Sequence, residues 1–134
     1  MADDLKHARH NDKACDYLHE NGEFTDWVVT TAFYAAIYYV HHELFPGQFE
    51  INGTTRHLSS FDDYIKNLKG EKKPHTVRID LVADLLPEIY SEYKTLHDTC
   101  WTARYKNYKI SSEEVNACRE CLNDIRDLCS PTGY

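Results

Sequence analysis

One stretch of the sequence decides the fold: Asp26-Trp-Val-Val-Thr-Thr-Ala-Phe-Tyr-Ala-Ala-Ile-Tyr-Tyr-Val-His-His-Glu-Leu-Phe45. Between Trp27 and Val40 it has no charged side chain, so a helix here is apolar on nearly all sides, as in the middle of a bundle. Its roughly 14 uncharged residues span about 21 Å, whereas a bilayer crossing needs about 20 apolar residues. The stretch therefore predicts a buried central helix with several neighbouring helices and no membrane segment.

Length and charge limit the class of protein. The chain of 134 residues is expected to form a single domain over 1–134. Its 42% hydrophobic and 28% charged residues are typical of a folded protein rather than a disordered one. The net charge of −7 gives little general attraction for phosphate backbones, because that attraction comes from Lys and Arg. Any contact with nucleic acid must therefore be local.

Cysteine and histidine patterns do not favour a metal site. Without the basic start and apolar run of a signal peptide, we expect a cytoplasmic protein whose five cysteines are free thiols. Cys118 and Cys121 have the spacing of half a zinc site, but the second half is absent and Cys118 falls on an apolar helical stripe. His41 and His42 are adjacent on a helix and point about 100° apart. We therefore expect neither a metal nor another cofactor.

The region before the central helix predicts a first helix over about residues 3–20. Asn21-Gly22 ends it, because Gly is favoured just past a helix end. Its apolar stripe is interrupted by Asn11 and Asp12, where apolar residues would be expected.

The central helix is expected to begin with Thr25 or Asp26 as its N-cap, because both side chains can accept a hydrogen bond from the first turn. It ends at Phe45, since Pro46-Gly47 cannot continue a helix. Residues 47–53 are interpreted as a loop.

The next segment predicts a short third helix. Thr54 or Thr55 is the expected N-cap, and the helix reaches about Leu68. A polar linker follows over 70–74. No stretch alternates apolar and polar side chains in the way that a half-buried strand requires, so we expect no sheet.

The second half predicts one long helical segment over about residues 75–105, kinked or divided at Pro87. A turn over 106–110 leads to Ser111, which with Glu114 forms a capping box that opens the last helix. The apolar stripe of that helix consists of Val115, Cys118, Leu122, Ile125 and Cys129. The fold is therefore expected to be all-α, an up-and-down bundle of five or six helices.

Four residues at the two ends of the long helical segment are the candidate site. His75 and Arg78 share a helix face, and the helix dipole favours a neutral histidine in the first turn. A neutral imidazole beside a guanidinium could hold a phosphate or deprotonate a ribose hydroxyl without a metal. Arg104 and Tyr105 lie near the other end. The alternative is that these side chains only cap helices and form salt bridges.

Spaced motifs add a further clue. They are the stretch from Asp26 to Val40, Pro74-His75-Thr-Val-Arg78, Tyr93 with Leu96, and Ala103-Arg104-Tyr105, with His10-Asn11 in the first helix. Together they resemble one branch of the HEPN superfamily of small helical domains, over roughly residues 10–125. The resemblance implies a four- or five-helix bundle, commonly a homodimer, of prokaryotic toxin–antitoxin, anti-phage or RNA-processing systems.

Many members of this superfamily are metal-independent endoribonucleases with an arginine that is followed after four to six residues by a histidine. No arginine of this sequence has a histidine in that window. We therefore expect a HEPN-like homodimer that binds a nucleotide, RNA or a protein partner, with His75, Arg78, Arg104 and Tyr105 as the ligand patch. One alternative is an endoribonuclease with His75, Arg78 and Arg104 as catalytic residues. The other is a purely structural interaction module.

Overall fold

A computed structural model describes residues 3–68, 70 and 72–130 and contains six α-helices and one β-hairpin in these ranges. The elements are α1 Asp4–Asn21, α2 Thr25–Leu44, β1 Gly47–Ile51, β2 Thr54–Leu58, α3 Phe61–Asn67, α4 Pro74–Leu85, α5 Tyr90–Tyr105 and α6 Ser112–Cys129. The predicted helical bundle is confirmed, and the hairpin is an addition to it. None of the described helices has the length and hydropathy of a membrane-spanning segment.

The predicted central helix is α2. It packs against α1, α5 and α6. Ala32, Ala35 and Ala36 are fully buried there, and their small side chains let the neighbouring helices approach closely. Among the residues that the structure describes, nothing covers one side of α2, where Trp27 and Tyr34 are exposed. The apolar stretch therefore supports contacts with three helices and leaves a fourth side open.

The N-cap prediction for α2 is wrong. The helix begins at Thr25, and the capping position is Phe24, whose side chain cannot accept a hydrogen bond. The Thr25 hydroxyl oxygen instead accepts the backbone N–H of Ile110 at 3.2 Å. Thr25 therefore holds the turn that precedes α6 against the start of α2.

Other helix ends agree with the sequence. Gly22 follows α1 in the left-handed conformation, with φ of 80°. Ser111 and Glu114 form the predicted capping box, since each side chain bonds the backbone N–H of the other residue. The predicted stripe of α6, from Val115 to Cys129, is buried.

Residues 47–58 form a hairpin, so the interpretation of 47–53 as a loop and the expectation of no sheet are both wrong. Asn52 and Gly53 connect the strands with φ of 52° and 78°. Positive φ at both central residues is the geometry that tight hairpins require, and Asn-Gly adopts it readily. Phe49 and Ile51 alternate with exposed residues along β1 and are buried.

The third helix also begins later than predicted. Thr54 and Thr55 belong to β2, and α3 begins at Phe61. Ser60 is its N-cap, and its hydroxyl accepts the backbone N–H of Asp63 at 3.1 Å. The hairpin, α3 and α4 share a second apolar cluster of Phe45, Phe49, Ile51, Leu58, Phe61, Val77 and Leu81.

The long helical segment is divided at Pro87, as predicted. A short 3-10 turn, Pro87–Ile89, separates α4 from α5. The two helices contact each other, and the ring of His75 on α4 stacks on that of His97 on α5. The division therefore folds the start of α4 back onto the middle of α5.

The polar interruption of α1 joins three helices. Asp12 is buried, and its Oδ2 accepts the Tyr39 hydroxyl at 2.8 Å and Arg126 Nη1 at 2.9 Å. Asn11 bonds the His7 carbonyl of its own helix at 3.0 Å. Asp12 therefore takes a core position because α2 and α6 both supply donors for its carboxylate.

Candidate ligand-binding site

Two neighbouring cavities open beside the uncovered side of α2, and Tyr34 lines both. Cavity A has a volume of about 700 Å³, and its lining includes Asp4, Tyr38, His41, Phe61, Asp62 and Arg78. Cavity B has a volume of about 480 Å³, and its lining includes Lys73, His75, His97, Trp101, Arg104 and Tyr105. Both volumes fall in the range of small-molecule sites.

The predicted patch is distributed over these two cavities. His75, Arg104 and Tyr105 line cavity B, whereas Arg78 lines cavity A. His75 is in the first turn of α4 and Arg104 in the last turn of α5, so residues far apart in the sequence meet in cavity B. Three of the four predicted residues are therefore brought together in cavity B, and the fourth, Arg78, lies in the adjacent cavity A.

Cavity B contains a pair of stacked histidines. The ring centroids of His75 and His97 are 5.8 Å apart, and the ring planes differ by 17°. Burial lowers the pKa of His75, and the charges of His97, Lys73 and Arg78 act in the same direction. His75 is therefore mainly neutral at neutral pH and can accept a proton or a hydrogen bond.

His97 is a site residue that the sequence analysis missed. Its Nδ1 is 3.0 Å from Oδ1 of Asp98, which Lys94 also contacts at 2.8 Å. His97 follows Tyr93 by four residues and therefore lies on the same face of α5. Tyr93 is buried in the core, and the four-residue spacing from it was the available signal.

Arg104 is held across the mouth of cavity B. Its Nη1 donates to the Tyr34 hydroxyl at 2.8 Å, and this hydrogen bond raises the pKa of Arg104. The guanidinium carbon is 5.9 Å from the ring centre of Tyr105. The rings of Tyr105 and Trp101 are 5.5 Å apart, and Lys106 lies 5.5 Å from the Trp101 ring. The rim is thus an exposed aromatic surface with cations at its edge.

Cavity A is organised around Arg78 and His41. Arg78 Nε donates to His41 Nε2 at 3.0 Å, and its guanidinium carbon lies 4.4 Å from the ring centre of Phe61. His41 stacks on the same ring at 4.8 Å. Burial lowers the pKa of His41 to about 3, and the charge of Arg78 adds to this effect. His41 is therefore a neutral acceptor for Arg78, a role that the sequence analysis did not assign to it.

The described residues, 3–68, 70 and 72–130, contain no group of three or more His, Cys, Asp or Glu side chains that could hold a metal ion. Cys118 is buried in the core and Cys121 is partly buried, and both are free thiols. Both side chains of this pair pack in or against the main apolar core.

Comparisons with known proteins add no identification. No family model matches the chain, and searches of curated proteins and of solved structures found no match. The resemblance to the HEPN superfamily therefore rests on the sequence motifs alone.

Proposed function

We propose that the protein is a HEPN-like binding module that takes up a nucleotide, free or at the end of an RNA, in cavity B. One observation carries the proposal. In a chain of net charge −7, the lining of cavity B includes Lys73 and Arg104 but, among the described residues, no carboxylate. Such a cavity favours an anion, and the aromatic rim formed by Trp101 and Tyr105 favours an anion that carries a planar ring.

Each part of a nucleotide has a counterpart in this cavity. Stacking of a base on an aromatic side chain contributes about 1–3 kcal/mol, and the exposed rings of Trp101 and Tyr105 offer such a surface. The guanidinium of Arg104 can bind two phosphate oxygens at once, because its planar donors match their geometry. The neutral imidazole of His75 can accept a hydrogen bond from a ribose hydroxyl.

A matched set of variants tests the proposal. Trp101 and Trp27 are exposed to 46% and 47%, but only Trp101 lines cavity B. We expect AMP to raise the melting temperature of the wild-type protein and of Trp27→Leu, but not that of Trp101→Leu, because a ligand that binds only the native state stabilises it. AMP should likewise not raise the melting temperature of Arg104→Gln, whereas it should raise that of Arg56→Gln, at an exposed position of β2. Equal shifts in Trp101→Leu and Trp27→Leu would refute the site.

A second candidate function is metal-independent cleavage of RNA, and the stacked pair of His75 and His97 favours it. One imidazole can remove the proton of a ribose 2′-hydroxyl while a second, protonated imidazole donates a proton to the leaving oxygen. We expect cleavage in the presence of EDTA to be lost in His75→Ala and in His97→Ala. Arg78→Gln should retain it, because Arg78 lies in cavity A. Folded, nucleotide-binding protein without cleavage would leave binding as the function.

The resemblance also carries proposals about assembly and context. We propose a cytoplasmic homodimer, with a protein partner, in a toxin–antitoxin, anti-phage or RNA-related system. Sedimentation should show a species of twice the chain mass of 15.7 kDa, and a monomer alone would contradict the dimer. The alternative of a purely structural module predicts that His75→Ala and Arg104→Gln unfold the protein while no nucleotide changes its melting temperature.

A further inference from the structure

We propose that cavity A is a second and chemically different site, which binds a small zwitterion: an α-amino acid with an aromatic side chain. Its carboxylate would be bound by Arg78 and its ammonium group by Asp4 and Asp62. This proposal does not depend on nucleotide binding in cavity B.

The anion-binding end is Arg78. The groups that the structure shows in contact with its guanidinium are uncharged: they are His41, the ring of Phe61, and Tyr93, whose pKa is raised by burial. Within the part of the chain that the structure describes, Arg78 forms no ion pair with a carboxylate. A partly buried cation without a counter-charge has a desolvation cost, which a bound carboxylate would offset. The planar guanidinium also suits a carboxylate with two oxygens.

The cation-binding end consists of Asp4 and Asp62. They lie in the first turns of α1 and α3, where the helix dipole accommodates a negative charge. Burial raises the pKa of Asp4 against the opposing effect of His42 and His7, and Asp62 adds to the rise. No ion pair joins Asp4 or Asp62 to Lys or Arg in residues 3–68, 70 and 72–130. The two helix dipoles explain why each carboxylate is tolerated at its own helix end. A single bound ammonium group would pair with both Asp4 and Asp62.

Much of the remaining wall of cavity A is apolar and aromatic. Ile37 and Ile65 line it, as does Tyr38, whose ring stacks on His7 at 4.9 Å. Phe61 completes this surface. An aromatic side chain attached to the zwitterion would therefore contact rings and aliphatic groups, which is the usual composition of a small-molecule site.

The charges of the two cavities favour different ligands. Asp4 and Asp62 in the lining of cavity A outnumber Arg78, which is the one Lys or Arg side chain among the described residues that line it. A doubly charged phosphate would be repelled by both carboxylates, whereas a zwitterion has a partner for each sign of charge. Cavity B, with Lys73 and Arg104, has the opposite balance.

Three related probes test the proposal with the full chain: L-phenylalanine, 3-phenylpropionate, which lacks the amine, and phenethylamine, which lacks the carboxylate. We expect L-phenylalanine to bind in calorimetry or ligand-observed NMR and each partial probe to bind at least about tenfold more weakly, a difference of about 1.4 kcal/mol. Arg78→Gln should weaken L-phenylalanine at least about tenfold, and Arg56→Gln should leave it unchanged.

Asp62→Asn supplies a test that a loss of fold cannot imitate. Asp62 is exposed, so the variant should keep the wild-type melting temperature. It should bind L-phenylalanine more weakly and 3-phenylpropionate as well as or better than the wild type does, because one repulsive charge is gone. Equal binding of the three probes, an equal effect of Arg78→Gln and Arg56→Gln, or no binding of L-phenylalanine at about 10 mM would overturn the proposal.

Discussion

Arginines join helices in two regions of this protein, and the groups that accept their hydrogen bonds differ. Where α6 meets α1, Arg119 and Arg126 donate to the carboxylates of Asp16 and Asp12, at 3.0 and 2.9 Å. Beside the cavities, Arg78 and Arg104 donate instead to neutral groups of α2, which are His41 and Tyr34. Among the described residues, the arginine charges are therefore paired with carboxylates where α6 meets α1, whereas beside the cavities they are not.

The difference separates a structural use of arginine from one that suits a ligand. An ion pair between helices offsets the charge of both partners and leaves nothing for a third group. A neutral acceptor orients the guanidinium but leaves its positive charge available. Arg78 and Arg104 are thus oriented by the fold, and each lines a cavity from which an anion can approach.

The largest expected effect comes from the neutralised region. Asp12→Ala leaves the Tyr39 hydroxyl and the Arg126 guanidinium without their shared acceptor. We expect the free energy of unfolding to fall by about 3 kcal/mol, because removing one partner of a buried pair leaves the other charge uncompensated. Urea unfolding of the variant and of the wild type measures this fall.

The control in the same region is Asp16→Asn. The Asp16 side chain is 59% exposed and that of Asp12 only 12%. An exposed ion pair contributes at most about 1 kcal/mol, so this variant should lose less than that. Equal losses for Asp12→Ala and Asp16→Asn would contradict the central role given to Asp12.

The next effect concerns the neutral acceptor of Arg78. The pKa of His41 is about 3 in the folded protein and about 6.5 in an unfolded chain, so the unfolded state binds more protons between these values. The contribution of neutral His41 to the free energy of unfolding is therefore present in full above about pH 6.5, and it is lost as the pH falls toward 3. At pH 5 we expect the free energy of unfolding to be about 2 kcal/mol lower than at pH 7.5 because of His41.

Replacing the imidazole isolates this contribution. In His41→Gln the amide oxygen can still accept from Arg78, but the group no longer takes up a proton. The decline between pH 7.5 and 5, measured by urea unfolding at each pH, should be smaller in this variant by about 2 kcal/mol. His10→Gln, at an exposed position of α1, should decline as the wild type does. An unchanged decline in His41→Gln would show that His41 is not kept neutral.

Much of the bundle could be predicted because its signals are local. The apolar stretch of α2, Pro87 and the Ser111 capping box each act within a few residues, and all three have the predicted effect. The hairpin was missed for a different reason. Asn52-Gly53 was a sufficient turn signal, but β1 is short and only Phe49 and Ile51 show its alternation.

The site was less predictable because it depends on contacts between helices. His75 and Arg78 are neighbours on α4, but they line different cavities, and Arg78 packs against Phe61 of α3. No spacing along the chain reveals that His41 accepts from Arg78 or that His97 meets His75. The contact between His75 and His97 is set by how α5 folds back along α4 after Pro87, which the sequence pattern does not specify.

The smallest expected effect tests the cavity region directly. If Arg104 is oriented by Tyr34 but offsets no carboxylate, Arg104→Gln should change the free energy of unfolding by less than about 0.5 kcal/mol without ligand, as for an ordinary surface position. Arg126→Gln should cost about 2 kcal/mol, because Asp12 would keep only the Tyr39 hydroxyl as a donor. Urea unfolding of both variants at one pH gives the comparison. A cost for Arg104→Gln equal to that for Arg126→Gln would mean that Arg104 is also a structural arginine, since a residue held for a ligand contributes little until the ligand binds.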